Sequence, residues 1–158
     1  MMATNVKKIE SEDSKSVTEM SKLIDRIDSM FEELGTIDLI NLLKTEKINW
    51  YHIKKFKAFC NFTDYQLSEI FQVSIRTLRS KKSFDSDIKI LNKEQVILLI
   101  SLFKQGTQLF GTSKNFELWL DTENFFFDYN KPFEFLKSIS GIRFIEERLV
   151  AMKYGDNV

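Results

Sequence analysis

The sequence predicts an all-α fold, because its apolar residues recur every three or four positions along most of the chain. The chain has 158 residues but only one proline and five glycines, so few positions interrupt a helix. No segment shows the alternation of apolar and polar residues that is typical of a half-buried strand. These observations favour helices joined by short loops.

The first predicted helix lies in an amino-terminal extension, residues 1–35. Its apolar residues fall on one helical face: Val17, Met20, Ile24, Ile27, Phe31 and Leu34. Gly35 follows the last of them, at a position where helices often end. The stripe is too short for a stable isolated coiled coil. We therefore expect it to pack on its own domain or on a second copy of the chain.

The following segments predict a series of further helices. They are expected at residues 36–44, 49–59, 63–71, 74–81 and 92–110, with a last helix after Gly141. Ile37, Ile40 and Leu43 should face inward in the first of them. Thr63 with Gln66, and Asn92 with Gln95, have the spacing of capping boxes at helix starts. The inward stripe of the last helix comprises Ile142, Ile145, Leu149 and Met152.

Composition narrows the class of protein. Apolar residues make up 43% and charged residues 29%, as in ordinary globular chains, and no apolar run approaches the length of a membrane span. The start of the chain lacks the pattern of a secretory leader, and Cys60 has no second cysteine to pair with. We expect a cytoplasmic protein. Because His52 is the only histidine, a multi-histidine metal site is excluded, and no cofactor is expected.

Charge is unevenly distributed although the net charge is zero. Residues 41–82 carry nine Lys/Arg and three Asp/Glu, whereas the segments on either side are acidic. A basic island in an acidic chain indicates a polyanionic partner, or else a solvated basic face.

Residues 63–79, inside this island, have the pattern of a helix-turn-helix. The first helix would be buried through Leu67, Ile70 and Phe71, and the second through Leu78. The turn position that often holds glycine is occupied by Gln72. Ser74 is a suitable N-cap for the second helix. That helix would present its amino-terminal part to DNA. The candidate DNA-binding residues are Ser74, Ile75, Arg76, Thr77, Arg79, Lys81 and Lys82.

The carboxy-terminal third carries the most specific pattern. In order it contains Phe110-Gly111-Thr112-Ser113, Leu118-Trp119-Leu120, Asn124, Phe127, Pro132 to Leu136, and Gly141-Ile142. This order and spacing resembles the Xre/MbcA/ParS toxin-binding domain of bacterial antitoxins. Asp128-Tyr129 stands where many relatives have Gly-Gly, and Asn130 is expected to adopt the left-handed conformation in their place.

The resemblance implies an antitoxin with three parts: an extension at 1–35, a helix-turn-helix domain at 36–110 and a toxin-binding domain at 111–158. It implies a homodimer that binds operator DNA and a toxin, usually a RES-domain toxin that consumes NAD and less often a related ADP-ribosylating toxin. The end of the chain would engage the toxin. The candidate residues are Arg143, Glu147, Lys153, Tyr154 and Gly155.

Two alternatives remain open. One is a helix-turn-helix regulator whose carboxy-terminal domain serves only dimerisation. The other is a small enzyme that uses Cys60 and His52, which lie on one helix face. A flat helix face supplies neither an oxyanion hole nor a third orienting group, so a buried cysteine and a half-exposed histidine without catalytic activity are predicted.

Overall fold

The computed structural model describes residues 36–45, 48, 50–79 and 90–155, and over these residues the chain is all-α without strands. The α-helices are α1 Thr36–Thr45, α2 Trp50–Cys60, α3 Asp64–Phe71, α4 Ile75–Arg79, α5 Ile90–Phe110, α6 Ser113–Leu120 and α7 Ile139–Lys153. Two 3₁₀ helices, Phe125–Phe127 and Pro132–Lys137, lie between α6 and α7. The all-α prediction is confirmed. The helix predicted at residues 17–34 lies outside the described residues.

The chain divides into two compact units, residues 1–46 and residues 47–158. The described part of the first unit is α1, where Ile37 is 74% exposed and Ile40 is 43% exposed. The prediction that both face inward was wrong, because periodicity identifies an apolar face without identifying what covers it. All the other described elements belong to the second unit.

The centre of the second unit is α5. Every residue from Gln95 to Phe103 is buried, and α5 packs on α6, α7 and α2. The buried residues of α5 include Ile97, Leu98 and Leu102, so they do not form a single narrow stripe. A helix that is apolar on all sides is surrounded by protein on all sides.

Aromatic rings join the helices around α5. The ring centroid of Phe103 lies 5.2 Å from that of Phe56 on α2 and 5.1 Å from that of Phe116 on α6. The chain of contacts continues through Trp119 to Phe127, whose ring lies 5.1 Å from that of Phe144 on α7. Edge-to-face and stacked pairs of this kind stabilise a core beyond the apolar area they bury.

Side-chain caps fix where the helices of the second unit begin. The capping box at α3 is confirmed, because the Gln66 backbone N–H donates to Thr63 Oγ1 and the Thr63 N–H donates to Gln66 Oε1. The box expected for Asn92 and Gln95 was wrong. α5 already begins at Ile90, and Gln95 lies inside it with a buried side chain.

The start of α7 depends on a close backbone contact. Ser138 caps the helix by accepting a hydrogen bond from the Gly141 N–H at 3.1 Å. A Cβ atom at Gly141 would lie 2.1 Å from the carbonyl oxygen of Phe135. Glycine is therefore required at this position so that α7 can pack against the second 3₁₀ helix.

Candidate functional site

The two short helices α3 and α4 are joined by a tight turn at Gln72–Ser74. Gln72 adopts a left-handed conformation with φ of 51°, so it takes the geometry that glycine usually supplies. Its N–H donates to the Glu69 carbonyl, and the Val73 N–H donates to the Ser68 carbonyl at 3.1 Å. These two bonds form a Schellman motif, which ends α3 and sets the direction of α4.

Helix α4 carries the described DNA-binding candidates. Ser74 caps α4, accepting a hydrogen bond from the Thr77 N–H at 3.0 Å, as the sequence predicted. Arg76 and Arg79 are exposed, while Ile75 and Thr77 are partly buried. Leu78 is also only partly buried, in contrast to the prediction that it buries the second helix. Lys81 and Lys82 lie outside the described residues.

Asp64 brings two cations of this region together. Its carboxylate accepts a hydrogen bond from Arg79 Nε at 2.6 Å and also pairs with Lys57 on α2. The bonds from Lys57 and Arg79 lower the pKa of Asp64 below its ordinary value. Sequence analysis missed this residue, although an acidic side chain at the start of a helix inside a basic island is a recognisable signal.

A buried amide connects α3 to the second 3₁₀ helix. Gln95 Nε2 donates to the carbonyl oxygens of Ile70 and Leu136, each at 2.9 Å. The Gln72 side chain donates to the Lys137 carbonyl at 3.4 Å, and Lys137 pairs with Glu69 at 3.5 Å. The segment with the helix-turn-helix pattern and the carboxy-terminal pattern are thus parts of one packed unit.

The carboxy-terminal pattern begins with a defined turn. Gly111 has a φ of +81°, and Thr112 then caps α6 by accepting a hydrogen bond from the Asn115 N–H at 3.1 Å. The Asn115 side chain donates back to the carbonyl of Phe110 at 3.0 Å. Phe110, Gly111 and Thr112 therefore mark the end of one helix and the start of the next.

Residues 124–130 form a compact loop that we call the aromatic turn. Asn124 Oδ1 accepts from the Phe126 N–H at 2.9 Å, and the Asn124 carbonyl accepts from the Tyr129 N–H at 3.0 Å. Positive φ angles occur at Asp128 (51°) and Tyr129 (62°). The expectation that Asn130 would take the left-handed conformation was wrong, because Asp128 and Tyr129 take it instead. The Asn130 side chain donates to the Phe127 carbonyl at 2.9 Å.

The outer face of α7 carries the proposed toxin-binding residues. Arg143 Nη1 donates to Glu146 Oε2 at 2.8 Å, so this arginine is partly engaged within its own helix. Glu147 and Lys153 are exposed, and Tyr154 is 81% exposed. Gly155 follows with a φ of +89°, a left-handed conformation that favours glycine after a helix end. The spacing of Arg143 and Glu147 places them on one face of α7, and Tyr154 follows the last residue of the helix.

Cys60 and His52 are both buried, at 0% and 5% exposure, so the prediction of a half-exposed histidine was wrong. Burial raises the pKa of the Cys60 thiol to about 12. Because the thiolate is the reactive form, this cysteine is a poor nucleophile. Across the described ranges no cluster of His, Cys, Asp and Glu could hold a metal ion, and no helix there has the length and apolarity to cross a membrane.

Comparison with known proteins identifies the carboxy-terminal segment. Residues 105–155 match the family model of the antitoxin Xre/MbcA/ParS C-terminal toxin-binding domain. A search of curated proteins finds no match to the chain. The matched segment contains the end of α5, α6, the aromatic turn, the second 3₁₀ helix and α7. The segment 105–155 of this chain is thus a member of the Xre/MbcA/ParS toxin-binding domain family, the part of antitoxins that binds toxin.

Proposed function

We propose that this chain is the antitoxin of a type II toxin–antitoxin system, which neutralises a RES-type, NAD-consuming toxin and represses its own operon by binding DNA. The observation that carries the proposal is the match of residues 105–155 to a toxin-binding domain. The chain acts as a homodimer within a cytoplasmic toxin–antitoxin complex and is not an enzyme.

The toxin-binding role is assigned to the carboxy-terminal end of the chain. Arg143, Glu147, Lys153, Tyr154 and Gly155 form the contact set. The exposure of Glu147, Lys153 and Tyr154 supports this assignment, because these side chains contribute little to the core. A tail beyond an amphipathic helix can enter a partner's cleft and exclude its substrate, with contacts there offsetting the cost of ordering it.

The DNA-binding role is assigned to α4. Ser74, Ile75, Arg76, Thr77 and Arg79, continued by Lys81 and Lys82, would contact operator DNA. Two exposed arginines on a short helix after a tight turn support this role, as does the excess of Lys/Arg over residues 41–82. The alternative is a regulator without a toxin partner, in which the same α4 binds DNA and the carboxy-terminal domain only dimerises.

Co-expression tests the proposal. The toxin encoded in the neighbouring reading frame is expressed with the intact chain, or with a chain that ends after Met152. The intact chain should restore growth and cellular NAD, whereas the truncated chain should restore neither fully while still binding the promoter. A chain that carries only Arg76→Ala is the matched control and should neutralise normally. If the intact chain leaves growth and NAD unrestored, the antitoxin role is excluded and the regulator remains.

A further inference from the structure

The aromatic turn holds apolar side chains in solvent. Phe125 and Tyr129 are each 67% exposed, and their rings lie 5.7 Å apart in an edge-to-face pair. Phe126, between them in sequence, is covered on one face by the guanidinium of Arg148, 4.7 Å from the ring centroid. Phe127 points into the core. The turn thus packs some of its rings and leaves two neighbouring rings largely exposed.

The backbone of this turn is unfavourable for the residues that occupy it. A left-handed φ at Tyr129 costs free energy for any residue with a Cβ atom, and such costs concentrate where surfaces bind partners. The hydrogen bonds that Asn124 accepts and Asn130 donates nevertheless hold the loop in one shape. Phe125 and Tyr129 are therefore presented in a fixed arrangement, and little further ordering is needed when they bind.

Acidic residues flank the two rings in the sequence. The segment 121–134 holds four carboxylates but only one cation, and Glu123, Asp128 and Glu134 are exposed. The cation, Lys131, is paired with Asp121 at 2.9 Å. Asp121, and to a smaller extent Glu123 and Glu134, raise the pKa of Lys131. An apolar centre inside a charged rim is the usual layout of a protein–protein binding hot spot.

We propose that the aromatic turn is a second anchor for the toxin, which inserts Phe125 and Tyr129 into an apolar pocket bordered by Lys and Arg residues. This inference rests on the proposed antitoxin function and adds a contact that α7 and its tail do not supply. The toxin is the occupant because the turn lies inside the matched toxin-binding segment and borders α7 through Arg148 and Phe144. Because the residues that flank the two rings are acidic, a toxin pocket of complementary charge would carry Lys and Arg at its edge.

Tyr129→Asn tests the anchor directly. Asparagine tolerates the left-handed conformation and removes the ring, so the melting temperature of the free chain should not fall. Tyr65→Asn is the matched control, because Tyr65 is 62% exposed on α3, outside the matched segment. The probe is the neighbouring-frame toxin, separated from the complex by denaturation and refolded, and affinity is measured by biolayer interferometry on the full-length chain.

The expected result is an affinity loss of about tenfold or more for Tyr129→Asn and no change for Tyr65→Asn. Glu123→Lys should slow association at low salt, with the difference disappearing at high salt. Wild-type affinity in Tyr129→Asn overturns the anchor while leaving the antitoxin function intact. Absence of binding by the unaltered chain overturns both. A loss of self-association without a loss of toxin affinity identifies a second copy as the occupant and also overturns the proposal.

Discussion

Two of the turns in the second unit pass through left-handed residues that are not glycine. One leads into a charged surface, and the other exposes an apolar surface. The turn after α3 uses Gln72, whose side chain is hydrogen-bonded to a neighbouring element, and it leads into the cationic α4. The aromatic turn uses Asp128 and Tyr129 and leaves two rings in solvent. In the first, an exposed cation, Arg79, already has an anionic partner in Asp64. In the second, most of the surface of both rings is exposed to solvent.

This difference shows that one small unit can carry two surfaces that differ in whether they require a protein partner. A charged surface whose ions are paired internally is stable in water and binds when a stronger anion competes for it. An exposed aromatic pair lowers the free energy only when a partner removes it from water. The first surface can therefore act alone, while the second requires a protein with a matching pocket.

The largest expected effect concerns Gln95, which lies between the two turns. Gln95→Leu leaves the buried carbonyl oxygens of Ile70 and Leu136 without this donor and should lower the free energy of unfolding by about 2–4 kcal/mol. Urea unfolding measures the change. Gln108→Leu is the control, because Gln108 is exposed on the same helix and should change stability by less than about 0.5 kcal/mol. Equal stability of the two variants would show that the two hydrogen bonds of Gln95 contribute little to the free energy of unfolding.

An intermediate effect is expected at α4. Arg76→Ala should weaken promoter binding by about 1–3 kcal/mol if Arg76 contacts a base. Arg79→Ala should cost less, because Arg79 must first leave Asp64. Fluorescence anisotropy with promoter and random DNA measures both, and Lys114→Ala, which removes an exposed cation on α6, serves as control. A larger loss from Arg79→Ala than from Arg76→Ala would contradict the role of Asp64 as an internal competitor.

The smallest effect concerns the ion pairs of Asp64 and depends on pH. The pKa of Asp64 is lowered by Lys57 and Arg79, so the pairs stabilise the fold above the carboxyl's unfolded pKa. This contribution disappears as the pH falls through the lowered folded pKa. Asp64→Asn should therefore destabilise the chain by less than about 1 kcal/mol near neutral pH, because the pair is partly exposed. In strong acid, thermal melts of the two proteins should coincide; a difference that persists there would point to packing instead.

Much of the fold was predictable because its signals are local. The capping box of Thr63 and Gln66, the cap at Ser74 and the stripe of Ile142, Ile145 and Leu149 all depend on residues a few positions apart. The role of Gln95 was not predictable in this way. Its acceptors lie 25 and 41 residues away, and only the packing of α3 and the second 3₁₀ helix on α5 brings them together.

The candidate sites also combine features with local sequence signals and features that depend on packing. The sequence indicated α4 and α7 as candidate sites, because charge and spacing are visible in it. It did not indicate that Arg79 is held by Asp64, or that Phe125 and Tyr129 are the rings left outside while Phe127 is buried. A run of three phenylalanines gives no sign of which ring faces the core, since that depends on the left-handed backbone at Asp128 and Tyr129.

The burial of Cys60 has a practical consequence. Alkylating reagents attack only the thiolate of an accessible cysteine, and this thiol is fully buried with a strongly raised pKa. Modification must therefore wait until the region around the end of α2 opens. Because the sequence holds no other cysteine, the alkylation rate of the intact chain reports that local opening directly. The alkylation rate of Cys60 should therefore fall whenever a bound partner stabilises the surrounding helices.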